Sequence, residues 1–183
     1  MFASRCLSLL FVVALAPFAA GDEPVRLRLL SYNIHHAEGV DGKLDLQRIA
    51  NVIRSVKPDL VALQEVDMHV PRSGSVDQPT ELARLTEMNS IFGANITLQG
   101  GQYGNALLSR FPILNNENHR LPNIDDGEQR GFIQAEIKIP GLREPLLIIA
   151  THFDHRRDER ERVASADAIN QSVSGQSKRL ALL

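Results

Sequence analysis

Cysteine is nearly absent. Cys6 is the only one in 183 residues, and there is no tryptophan. A single thiol cannot close an internal disulfide and cannot build a cysteine metal centre. Aromatic residues make up only 5% of the chain, and none are interleaved with basic residues as a stacking groove for single-stranded nucleic acid would require. Basic charge is not in excess, with 20 Lys and Arg against 22 Asp and Glu. The electrostatic footprint of a non-specific duplex binder is therefore missing. No repeat, low-complexity tract or linker breaks the chain, so its length suits one domain with a real core.

The one long apolar run, Cys6–Phe18, is too short to cross a bilayer comfortably. Arg5 precedes it, the small residues Ala19–Ala20–Gly21 follow, and Asp22–Glu23–Pro24 ends it abruptly. A charged start, an apolar middle and a small-residue end form the pattern of a secretory signal peptide. The reading is a signal at residues 1–21, cleaved after Ala20 or Gly21, and a mature domain over residues 22–183. Export would leave the protein secreted or periplasmic, with membrane association as a variant. Without Arg5 the mature chain holds 19 basic against 22 acidic residues and no cysteine.

Within the mature chain, Val25–Tyr32 alternates apolar and basic residues at strand period. Leu46, Ile49, Ala50, Ile53 and Val56 recur at helical spacing, and Pro58 stops them. Strands are expected at Leu60–Leu63, Ile91–Leu98, Ala106–Leu108, Ile133–Ile139 and Leu146–Ala150, and helices at Thr80–Met88 and Asp158–Val173. Another apolar run starts at Leu180, and His69–Pro79 reads as a surface loop. Strands and helices that alternate and then give way to several strands predict a layered α/β protein.

Three polar clusters follow three apolar strands: Ser31–Tyr32–Asn33–Ile34–His35–His36, Leu63–Gln64–Glu65–Val66–Asp67 and Ala150–Thr151–His152–Phe153–Asp154–His155. Side chains at strand ends often project into a shared crevice. A carboxylate, an amide and an imidazole meeting there suit a hard cation and a phosphate, because Mg²⁺ takes oxygen ligands and leaves places for water and phosphate. Taken singly, Asn33 could start a turn, Glu65 could be a surface charge and His152 could be a sheet-edge histidine. It is their joint placement that points to chemistry.

These clusters carry a family resemblance. Ser31–Tyr32–Asn33–Ile34, Leu63–Gln64–Glu65–Val66, Gly104–Asn105–Ala106–Leu107–Leu108–Ser109–Arg110–Phe111–Pro112 and Ala150–Thr151–His152 resemble, in order and spacing, the signatures of the endonuclease/exonuclease/phosphatase superfamily. That group includes deoxyribonuclease I, abasic-site endonucleases, sphingomyelinases and inositol-phosphate phosphatases. The resemblance implies a DNase I-like α/β fold, a four-layered sandwich of two sheets flanked by helices. It also implies Mg²⁺- or Mn²⁺-dependent hydrolysis of phosphodiesters or phosphomonoesters. Glu65 would hold the metal, with Asn33 beside both metal and phosphate. Asn105 would line the crevice. Arg130, in Gln129–Arg130–Gly131, would contact phosphate, and His152 would bond a phosphate oxygen or assist proton transfer. Asn33, Asn105 and His152 are thus the expected catalytic residues, and Arg130, Asn105 and His152 the phosphate-binding ones. The partner would be a phosphate ester, drawn from nucleic acid, phospholipid head groups or small esters; no obligate protein partner is expected, and the protein would be a monomer.

Two family motifs, Gly-Asp-x-Asn and a final Ser-Asp-His triplet, do not occur. Lys178–Leu183 resembles the strand that runs into the first of them. The expectation is therefore a domain incomplete at its C-terminus, whose full activity needs a further half. A phosphate-ester-binding fragment without turnover is the alternative. A zinc hydrolase drawing nitrogen ligands from His35, His36, His69, His119, His152 and His155 is a further rival, disfavoured because strand geometry would point the rings of its His152-x-x-His155 pair apart.

Overall fold

A computed structural model describes residues 10–14, 25–124, 126–175 and 181–182. The start of the expected signal peptide and its cleavage site lie outside these residues. Its apolar middle enters as strand β1 (Leu10–Ala14), antiparallel to β2 (Arg26–Asn33). The chain continues through α1 (Leu46–Val56), β3 (Leu60–Met68), α2 (Gln78–Thr86), β4 (Asn89–Leu98) and β5 (Gly101–Ser109). Strands β6 (Ile113–Arg120), β7 (Gly131–Ile137) and β8 (Leu146–Thr151), helix α3 (Arg160–Ser174) and the short β9 (Ala181–Leu182) follow. One sheet runs β1-β2-β3-β5-β4 and the other β6-β7-β8-β9.

The four-layered sandwich follows from strand alternation. Along β3, Val61 and Leu63 pack with Ile49, Ile53 and Leu82 of α1 and α2, while Leu60 faces Ile133, Ile137 and Ile148 of the second sheet. In β5, Ala106 and Leu108 face the helices and Leu107 faces the other sheet. Phe132 and Ile149 use the outer face of the second sheet to bury Ile169 of α3. A strand buried on both faces must be apolar at nearly every position, which is why Leu60–Leu63 reads as a continuous run. Burying a Leu or Ile side chain in this way contributes about 1.5–3 kcal/mol.

Local chemistry sets the helix ends. Asp45 caps α1 by accepting the Arg48 N–H at 2.8 Å, and Asp77 caps α2 through Thr80 at 3.0 Å. Pro79 lies inside the first turn of α2, where its missing N–H costs nothing. The helix therefore starts earlier than the apolar spacing predicts. The expected loop His69–Pro79 is more ordered than a loop: Pro71–Ser73 forms a 3₁₀ turn, Val70 and Ser73 are buried, and Met68 bridges to Asp77. Strand β6 was not expected, because its Asn-rich sequence is largely exposed at a sheet edge and shows no apolar alternation. The apolar run expected from Leu180 supplies β9, parallel to β8.

Candidate active site

Strands β2 and β3 are parallel, so their C-terminal ends lie side by side, with Asn33 opposite Gln64. Glu65 was expected at a strand end, but β3 continues to Met68 and holds Glu65 in its interior. Pairing with β5 runs to Leu63–Ala106 and resumes at Val66–Gly104, so Gln64 and Glu65 together oppose Asn105. This is a β-bulge, and Glu65 adopts φ 58° within it. Regular alternation would send residue 65 after Val61 and Leu63 toward the helices. Val66 takes that place instead, and the bulge turns the carboxylate aside. The Asn33 amide Nδ2 then donates to Glu65 Oε1 at 2.7 Å, while its Oδ1 accepts the His35 N–H at 3.0 Å. In this geometry Asn33 orients the carboxylate.

After Asn33 the chain enters a turn with three consecutive positive φ values: His35 47°, His36 43° and Ala37 68°. This turn brings two imidazoles to Glu65. One donor atom from each of His35, His36 and Glu65 lies within 4.8 Å of the others. A carboxylate and two imidazoles are a donor set that fits a divalent cation. His36 is largely buried, and burial with the nearby Arg72 guanidinium holds its imidazole below the usual histidine range. The sequence places both histidines in the first polar cluster and offers them a role only among the nitrogen ligands of the zinc rival. The signal was their position two and three residues beyond Asn33.

The second sheet supplies the other pole. Arg130 was expected before a strand, and it immediately precedes β7, with a side chain only 6% exposed. Its Nη1 donates to Glu128 Oε1 at 2.7 Å and to His152 Nδ1 at 3.0 Å, and its Nε is buried without an acceptor. A guanidinium can only donate, so His152 Nδ1 must accept. The ring hydrogen therefore sits on Nε2. Burial, with the Arg130 charge second, pushes the His152 imidazole down to about 4, although the Glu65 carboxylate opposes the shift. At neutral pH His152 is an uncharged donor through Nε2. His155 is exposed and shares in no ligand group among the described residues.

Asn105 is buried and donates to the Gly131 carbonyl at 3.0 Å, tying the first sheet to the second. Thr151 Oγ1 bonds the same carbonyl at 3.0 Å. The glycine before Asn105 has a steric cause, because a Cβ on Gly104 would collide with the Gly93 carbonyl of β4. A further group went unread in the sequence. Asp67, fully buried, pairs in bidentate fashion with Arg72 at 2.8 and 2.9 Å, and the Arg72 guanidinium lies 5.3 Å from the Tyr103 ring centre. Burial and the Glu65 and Glu128 carboxylates raise the Tyr103 phenol.

The chain and its fold are similar to known proteins. The family described as "PGAP2IP, C-terminal nuclease-like domain" matches residues 27–183. The Escherichia coli protein YbhP is 26% identical over 159 residues, which cover 81% of this chain and 62% of that protein. A 5′-tyrosyl-DNA phosphodiesterase from Caenorhabditis briggsae is 26% identical over 154 residues, 78% of this chain and 39% of the enzyme. Among solved structures, an endonuclease/exonuclease/phosphatase from Beutenbergia cavernae superposes with TM-score 0.69 at 29% identity, covering 79% of this chain and 43% of that one. The chain thus spans less than two thirds of the length of each of these relatives.

Proposed function

The chain belongs to the PGAP2IP C-terminal nuclease-like family, within the endonuclease/exonuclease/phosphatase superfamily, and from that membership we propose that it serves hydrolysis of phosphodiester or phosphomonoester bonds with a divalent cation, Mg²⁺ or Mn²⁺. The observation that carries the reading is Glu65, turned out of its strand by a bulge and bonded to Asn33 at 2.7 Å. The Arg130–His152 pair of the second sheet lies within electrostatic reach of that carboxylate.

In this reading Glu65 holds the cation, and Asn33 beside it fixes the carboxylate's orientation. When bound, such a cation neutralises charge on phosphoryl oxygens. Arg130 offers a permanent positive charge and an unsatisfied Nε–H to a phosphate oxygen. His152 donates its Nε2–H to a second oxygen and stays uncharged near pH 7. Fixed donors in a buried site stabilise the charge that develops as the ester bond breaks. Asn105 supports these groups by tying Gly131, next to Arg130, to the bulged strand.

The substrate class is a phosphate ester. The 5′-tyrosyl-DNA phosphodiesterase relative acts on one such ester, and the residues above read a phosphoryl group without selecting what it is attached to. The export signal read at residues 1–21 would put the reaction outside the cytoplasm, in keeping with a secreted or periplasmic protein.

The test is turnover of an aryl phosphodiester and an aryl phosphomonoester by the full chain in Mg²⁺ or Mn²⁺. Glu65→Gln and chelation should each lower turnover at least about 100-fold, as loss of one charge-stabilising group does elsewhere. Full activity in Glu65→Gln with metal chelated would end the proposal. Ester binding without turnover would leave a binding protein.

A further inference from the structure

The turn at His35–Ala37 is costly. A left-handed conformation costs an ordinary residue about 1–2 kcal/mol, and three residues in succession adopt it with no glycine among them. Such strain persists only where its surroundings over-determine it, and here they do. Gln78, 1% exposed, donates to the His36 carbonyl at 2.8 Å and accepts the Asp67 N–H at 3.0 Å, riveting the turn to β3 two residues past Glu65. The Ile34 N–H bonds Gln64 O at 3.1 Å, and the Asp45 N–H bonds Ala37 O at 3.0 Å. What the turn delivers for this cost is two imidazoles facing Glu65.

A single residue orients both rings. His35 Nδ1 lies 3.3 Å from the Glu38 carbonyl, and His36 Nε2 lies 3.3 Å from the Glu38 carboxylate. Both partners are acceptors, so each of those ring nitrogens carries the hydrogen. The lone pairs are then on Nε2 of His35 and Nδ1 of His36. A carbonyl or carboxylate behind an imidazole is the usual outer support of a metal-binding histidine.

We propose that His35 and His36 are cation ligands beside Glu65, and that this mixed nitrogen–oxygen site favours a first-row transition dication over Mg²⁺. Mg²⁺ prefers oxygen donors and keeps its water, whereas imidazole suits the transition dications. The proposal deepens the hydrolase reading and takes from it the position of the cation at Glu65.

Mn²⁺ tests it on the full chain. Electron-spin-echo spectroscopy of bound Mn²⁺ should show modulation from imidazole nitrogen, and dialysis should show Mn²⁺ retained against an approximately 100-fold excess of Mg²⁺. His35→Asn and His36→Asn, whose new side chains tolerate a left-handed backbone, should each weaken the nitrogen signal. Each should also lower Mn²⁺ affinity at least about 10-fold and leave Mg²⁺ affinity nearly unchanged. Bound Mn²⁺ without nitrogen modulation, or no Mn²⁺ binding, overturns the proposal. The wild-type spectrum decides even if a variant fails to fold. Nitrogen-ligated Mn²⁺ on a chain that turns over no ester would sink the hydrolase reading and leave this one standing. Glu65-dependent turnover in Mg²⁺ without nitrogen modulation would do the reverse.

Discussion

His152 should make the folded chain acid-sensitive in a window well above the carboxylate range. In the unfolded chain its imidazole takes up a proton near pH 6.5, whereas in the folded protein burial and Arg130 delay protonation to about pH 4. Between those values the unfolded state binds more protons, so stability falls as pH falls. The contribution is intact above pH 6.5 and is lost progressively down to about pH 4. A shift of that size is worth on the order of 3 kcal/mol in full, of which about 2 kcal/mol is lost between pH 7 and pH 5.

The measurement is urea unfolding of the full chain at several pH values, compared with His152→Asn, whose amide oxygen can replace Nδ1 as acceptor for Arg130. His36 is shifted in the same direction and titrates in both proteins, so it cancels in the difference. The stability gap between the two proteins should move against wild type by about 2 kcal/mol on acidification from pH 7 to pH 5. Parallel stability curves would refute the reasoning, because they would mean that His152 takes up its proton at the same pH in the folded and unfolded chains.

Arg72→Met strands the fully buried Asp67 carboxylate and should cost about 3–5 kcal/mol in chemical unfolding. Lys57 ends α1 at φ 52° on an exposed position, so Lys57→Gly should raise stability by about 1 kcal/mol, seen as a higher Tm. Gln78→Leu removes both bonds that rivet the His35–Ala37 turn. It should destabilise the chain by about 1–3 kcal/mol and weaken Mn²⁺ binding by more than Lys57→Gly does, as read by dialysis.

Much of the fold was legible because burial writes itself into apolar spacing. The repeat Leu46, Ile49, Ala50, Ile53 and Val56 marks α1, and its core members are buried as the pattern requires. Strand β6 was illegible for the same reason in reverse, since an exposed edge imposes no alternation. At the site, residue identities were legible and orientations were not. Asn33, Glu65 and His152 stand out as polar groups after apolar strands, and Asn105 and Arg130 enter through the family resemblance. Nothing in Leu63–Gln64–Glu65–Val66 announces a bulge, because an extra residue changes the pairing without changing the composition. Nor does His35–His36–Ala37 announce a left-handed turn, for it lacks the glycine or asparagine that usually signals one. A hydrogen bond that enforces it comes from Gln78, 42 residues away from His36.

The two sheets divide the labour at the site. The first sheet and its turn hold the anionic pole with Glu65 and the imidazoles, and the second holds the guanidinium and the neutral His152. Face-to-face sheets pack about 10 Å apart, so the gap between the poles is set by the sandwich itself. The Asn105–Gly131 bond crosses that gap, joining the residue opposite the bulge to the residue beside Arg130. Ile133, Ile148 and Leu107 fill the space between the sheets. Under the proposed function, a change in those side chains would alter the span available to a phosphoryl group without replacing any residue proposed to contact it. The inter-sheet core is part of the site's geometry as well as of its stability.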